Sequence, residues 1–157
     1  MRRSDRQQDR TFSLELIDRC SHGVLSISTG EDTPYCLPLS FVRMENCLYF
    51  HCARVGRKVD LLRKNPRVCV TFVGQDIPAF EEPDSYTTYF QSVIATGTAV
   101  EVADETEKFR ALEALCRKLL PDYMDERFHL AIDRSLKVTG IWRIDLDEIT
   151  GKEKKKK

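Results

Sequence analysis

Residues 48–62 hold the densest chemistry in the chain. An apolar strand, Leu48-Tyr49-Phe50, ends in His51-Cys52-Ala53. A turn at Gly56 follows, and Arg57 and Lys58 then open a short helix. Unpaired amides at a helix start point toward an anion. A guanidinium can grip phosphate oxygens in a fork, and a lysine adds a mobile positive charge. Two cations at that end of a helix oppose its dipole. A bound phosphate removes the conflict; the competing reading is a pair of solvated cations on an exposed first turn.

Other residues carry weaker signals. His51 can hydrogen-bond a cofactor, carry a proton or ligate iron, or it can be a paired core histidine. In a regular strand Cys52 points away from it. His22, His51 and His129 are the three histidines and lack close metal-ligand spacing, so no metal site is expected. Pro38, within Tyr35-Cys36-Leu37-Pro38-Leu39-Ser40-Phe41, cannot donate to a neighbouring strand. It marks an edge or an irregularity, or a place where backbone amides face a planar ligand. Gln91 and Ser92 can donate at the entrance of a strand. Trp142 is a core residue or a rigid face for a ligand. The chain has no GxGxxG, no GxxxxGK[ST] and no GxSxG, which removes the Rossmann fingerprint, the P-loop and the hydrolase elbow.

Composition narrows the class. A chain of 157 residues with 41% hydrophobic residues is enough for one folded domain, expected over residues 1–151. The formal charge is zero, yet basic residues crowd both ends: four arginines in the first ten residues and five lysines in the last six. Without those ends the body carries a net charge of minus six, a poor match to nucleic acid. Residues 152–157 read as a solvated, disordered basic tail. Six cysteines without a CxxC pair, mostly inside apolar runs, read as buried thiols in a reducing cytoplasm. No apolar run approaches the ~20 residues of a membrane span.

The elements that must position these residues follow from periodicity. Ser13 to Cys20 reads as a helix capped by Ser13. Strands are expected over 24–29, 35–42, 47–52, 67–73, 92–102 and 138–146. Arg57 to Lys64 reads as a helix stopped by Asn65-Pro66. Residues 74–88, with Pro78 and Pro83, read as a loop. Gly97 inside a β-rich run suggests a bend, a bulge or the close approach of another backbone. Asp104 to Leu120 is an amphipathic helix with capping-box spacing at Asp104 and Glu107, and residues 125–132 form a shorter one. This order fits a small antiparallel barrel with helices outside it better than a doubly wound sheet.

Taken together, the residues resemble the flavin-binding split-barrel superfamily that includes the pyridoxamine 5'-phosphate oxidases, and most closely its nitroimidazole-resistance branch. The densest match is Leu48-Tyr49-Phe50-His51-Cys52-Ala53 with Gly56-Arg57-Lys58 and Asn65-Pro66-Arg67-Val68-Cys69. Met1-Arg2-Arg3, Asp18-Arg19-Cys20, Pro38-Leu39-Ser40-Phe41, Ser92-Val93-Ile94 with Gly97, and Ile149-Thr150-Gly151-Lys152 extend it over nearly the whole chain. The resemblance implies a six-stranded antiparallel split β-barrel with peripheral helices, and a homodimer with FMN at the subunit interface. It implies that the Pro38-Leu39-Ser40 backbone meets the flavin ring, that His51, Cys52 and Ala53 line its pocket, and that Arg57 and Lys58 hold its phosphate. Gln91 and Ser92 approach from the next long strand, while Trp142 stays open between the core and a contact with a cofactor from a partner subunit.

The implied activity is an FMN-dependent oxidoreductase, reduced by NAD(P)H or a partner reductase and reoxidised by a small acceptor such as a nitroaromatic. His51 would tune the flavin or supply a proton. Oxidation of pyridoxamine phosphate itself needs a second anion site, and the body shows no second basic cluster. Two alternatives stand on the same scaffold: a haem-binding or haem-handling protein with His51 or His129 on iron, and a flavin-binding sensor or storage protein.

Overall fold

The computed structural model describes residues 2–156. After a single 3-10 turn and β1 (Gln7–Gln8), α1 spans Arg10–Arg19. It starts upstream of the expected Ser13 because Asp9 is its cap, accepting from the Phe12 amide at 2.8 Å. Ser13 is buried and donates to the Asp9 carbonyl instead. Then come β2 (His22–Ile27), β3 (Tyr35–Ser40), β4 (Val42–Met44), β5 (Cys47–Ala53) and α2 (Arg57–Lys64). The chain continues with β6 (Arg67–Glu81), β7 (Ser85–Glu101), α3 (Glu105–Leu119), α4 (Glu126–Ser135) and β8 (Thr139–Lys154). The α3 cap is as expected: Asp104 accepts from the Glu107 amide at 2.7 Å. Among the described residues no helix is long and apolar enough to cross a membrane.

The strands form one eight-stranded antiparallel sheet in the order β3-β2-β6-β7-β8-β5-β4, with β1 alongside β8. This corrects the six-stranded split barrel in two respects. The run over 35–42 is not one strand, because it breaks at the fully buried Phe41. Its two parts pair with different neighbours, β3 with β2 and β4 with β5. The sheet is also not closed, since β3 and β4 end the path without meeting in a ladder. The first turn of α2 reaches β3 and β5, with Arg57 over the Tyr35 ring and Lys58 over the Phe50 ring.

Three further expectations are corrected. Residues 74–88 are not a loop but a paired arm, in which Asp76–Glu81 faces Ser85–Phe90 after an irregularity between Val73 and Asp76. The Thr87, Thr88, Tyr89 and Phe90 run favours extended backbone strongly enough to overcome the prolines. At the other end, β8 carries Lys152, Glu153 and Lys154 in register with Ser92, Gln91 and Phe90, so the first half of the basic tail is strand. The thiols also differ from expectation: Cys36 is exposed and the other five are only half-buried, all of them free.

The sheet separates two cores. On one side Leu25, Phe50, Phe72, Val93 and Ile144 pack with Leu16 and Ile17 of α1 and Val59 and Leu62 of α2. On the other side α3 and α4 pack Leu115, Phe128 and Ile132 onto Tyr49 and Ile141. A polar clasp joins α3 to this second face. Tyr49 donates to Glu107 at 2.9 Å, Arg143 donates to Glu107 at 2.8 Å and to Asp145 at 2.7 Å, and the Cys47 thiol donates to Asp145 at 3.3 Å.

Burial, reinforced by the bond to Glu107, pushes the Tyr49 phenol up to about 12. Burial and Asp145 push the Cys47 thiol up to about 11. Both groups hold their protons more tightly when folded than when unfolded. Their contribution to stability is therefore complete below pH 9.0, the ordinary thiol value, and is lost as the pH rises through about 11 and then about 12. The melting temperature should fall over that alkaline range, and Tyr49→Phe should flatten the upper part of the fall. At neutral pH the same substitution should cost about 1 kcal/mol in a denaturant titration.

Candidate functional site

The strand–turn–helix at residues 51–58 is formed as expected. Gly56 caps α2 at φ 124°, a left-handed conformation that favours glycine, and no side chain caps the helix. The first turn bond runs from the Asp60 amide to the Gly56 carbonyl at 3.1 Å, which leaves the amides before it free to meet an anion. Arg57 is exposed and Lys58 half-buried. Arg57 lies 5.0 Å from the Tyr35 ring centroid, and the Lys58 ammonium 5.6 Å from that of Phe50. Among the described residues neither has a carboxylate partner, in contrast to Arg43, Arg63 and Arg143, which are all paired. The helix start thus carries two cations held near aromatic rings rather than acids, and no side-chain cap.

Strand alternation divides the remaining candidates. His51 and Tyr49 face α3 and α4, whereas Cys52 packs against the main core, so the two neighbours line different sides of the sheet. Ala53 is exposed where β5 ends against Thr139. Solvent reaches His51, yet the surrounding protein desolvates it; with the charge of Lys58 this lowers its pKa below the ordinary histidine value.

Pro38 and Ser40 face outward from β3, an edge strand as the proline suggested, while Leu39 packs against the main core. Gln91 is engaged inside the fold, donating to the buried Glu153 at 2.7 Å, and Ser92 points to the opposite side. Trp142 is 2% exposed, and its ring is spent on the core, so it offers no face to a ligand. Period two explains each division: odd and even residues cannot line one pocket from the same strand.

Within one chain the candidates fall into two groups. Tyr35, beside Arg57, shares a cross-strand row with Ile27, Val68 and Gly97. Ser92 lies five residues from Gly97 along β7, roughly 17 Å at strand rise. Between them the outward face of the sheet carries a row that no helix covers, Pro38-Val24-Thr71-Ile94-Thr150, one residue from each of five strands. Val24, Val73 and Ile94 on this face are 39%, 59% and 50% exposed. The sequence reading missed this face and the Tyr35 contact. Consecutive apolar pairs such as Val24-Leu25 and Val93-Ile94 were the available signal, because they mark strands with two apolar faces.

Residues 9–153 match the family described as Pyridoxamine 5'-phosphate oxidase. The chain belongs to that family. Among solved structures, a candidate 5-nitroimidazole antibiotic resistance protein from Bacteroides thetaiotaomicron is similar at 25% identity and a TM-score of 0.80, over 92% of this chain and 84% of that one. The flavocytochrome Anf3 from Azotobacter vinelandii aligns at 19% identity and a TM-score of 0.84, over 99% of this chain and 72% of its own. An FAD-binding protein from Mycobacterium smegmatis aligns at 22% and 0.64, over 94% and 95%. These last two show the shared fold. No curated protein matches the sequence. Family membership bears out the oxidoreductase reading with a flavin as the redox group.

Proposed function

We propose that two copies of this pyridoxamine 5'-phosphate oxidase family member bind FMN between them and reduce a small acceptor such as a nitroaromatic compound, at the expense of NAD(P)H or a partner reductase. The observation that carries the cofactor assignment is the pair Arg57 and Lys58, free of acids at an uncapped helix start. They bind and orient the terminal phosphate of FMN. When bound, the flavin supplies the electron chemistry. His51, whose pKa is lowered by burial and by the charge of Lys58, tunes the flavin or supplies a proton. The similarity to the nitroimidazole-resistance protein supports the nitroaromatic acceptor. The open outward face supports the dimer: Ile94, Val24 and Val73 stand together and gain from burial by a second copy.

The experiment begins with the absorbance spectrum of purified protein. Denaturation and mass measurement of the released cofactor distinguish FMN from FAD. Anaerobic NADH or NADPH should bleach the flavin bands, and a nitroaromatic compound should restore them. Bands that bleach and are not restored by any nitroaromatic refute that acceptor class, and a Soret band without flavin refutes the flavin assignment. The interface has its own test. Ile94→Lys places a charge at the centre of the outward row and should convert a dimer to a monomer in sedimentation, with loss of flavin. A dimer that persists with its flavin overturns the proposed face.

A further inference from the structure

A cavity of about 370 Å³ lies between α3, α4 and the strands beneath them, on the side of the sheet away from the main core. The volume falls within the range of small-molecule sites, roughly 300–1,000 Å³. Leu119, Leu120, Phe128 and Ile132 supply apolar walls. Leu120 is 57% exposed, so part of this apolar lining faces solvent rather than protein. No acid, lysine or arginine lines the space. Its polar groups are His51, Cys116, Ser135 and Thr139. Among the described residues, the side chains of His51, Ser135 and Thr139 make no hydrogen bond within the chain, so they remain available to a ligand.

We propose that this cavity binds a neutral, largely apolar aromatic molecule of one or two rings, held against the leucines and Phe128 and oriented by one hydrogen bond to His51. Its chemistry selects against charge, because an ion taken from water into this lining meets no countercharge. It selects for a polar edge, because an apolar molecule alone leaves His51 unpaired. Phe128 favours a ring, since aromatic pairs gain beyond their buried area. The inference goes beyond the flavin site and does not require it: apart from His51, the lining comes from α3, α4, their connection and Thr139.

Isothermal titration of the full chain with 2-naphthol tests it. One saturable site per chain is expected, and naphthalene-2-sulfonate should bind at least about tenfold more weakly. Ala131→Phe fills the cavity from an exposed position on α4 and should weaken 2-naphthol at least about tenfold, with flavin content unchanged. Leu119→Trp fills the same space from α3 and serves if the first variant is unstable. His51→Leu should weaken 2-naphthol about fivefold while leaving naphthalene within about twofold. Absence of a saturable site, equal binding of the sulfonate, or unchanged affinity in a folded cavity-filling variant would overturn the proposal.

Discussion

Replacing Arg57 and Lys58 together with glutamine should weaken FMN binding by about a hundredfold or more while the protein stays folded. Each charge-assisted hydrogen bond to a phosphate contributes about 1.5–3 kcal/mol, and every 1.4 kcal/mol is about a factor of ten. The fold should survive because, among the described residues, neither cation holds an acid or a carbonyl in place, and both rest over the rings of Tyr35 and Phe50. Glutamine keeps part of each stem over those rings and removes the charge. Flavin fluorescence titration reads the affinity, and circular dichroism during heating reads the fold. The single variants should each lose part of the affinity, Arg57→Gln the larger part, because the guanidinium fork can meet two oxygens at once. Affinity within about threefold of the parent in the double variant would remove the phosphate site from this helix.

Gly97→Ala should be the most damaging single methyl in the sheet. Gly97 is opposite Val68 of β6 on one side and Leu146 of β8 on the other, at the point where the β7–β8 register shifts. A Cβ there would collide with the backbone carbonyl oxygen of Asp145, and would approach the Ile144 side chain to 2.8 Å. Backbone in the middle of a ladder cannot move aside as a flexible side chain can. The expected cost is about 3 kcal/mol, at the upper end of overpacking effects. In a domain of this size that corresponds to a fall in melting temperature of about 6–12 °C, measurable by calorimetry. An alanine variant that melts within about 2 °C of the parent would show that the two strands do not approach as closely as the bulge requires.

The sequence by itself determined what local physics can determine. Asp104 and Glu107 mark the start of α3, Asn65-Pro66 ends α2, Pro38 marks an edge strand, and Gly97 marks an irregularity in its strand. Each depends on a few consecutive residues whose backbone preferences or hydrogen-bonding groups leave little choice. The run from His51 to Lys58 likewise carried its own evidence, because a helix start with free amides and two cations is a local object.

The tertiary structure decided what depends on distant partners. Whether residues 35–42 form one strand or two is settled by pairing, β3 with β2 and β4 with β5, and by the burial of Phe41 between them. Whether the sheet closes depends on its two far edges, which no local pattern records. His51 and Cys52 are adjacent in sequence, yet strand alternation sends one to the helical side and the other into the main core. Trp142 and Gln91 looked available as isolated residues; packing spends the first on the core and a buried carboxylate engages the second. The cavity beneath α3 and α4 is the furthest from the sequence, because it exists only where two amphipathic helices and the β5–β8 pair fail to fill the space between them.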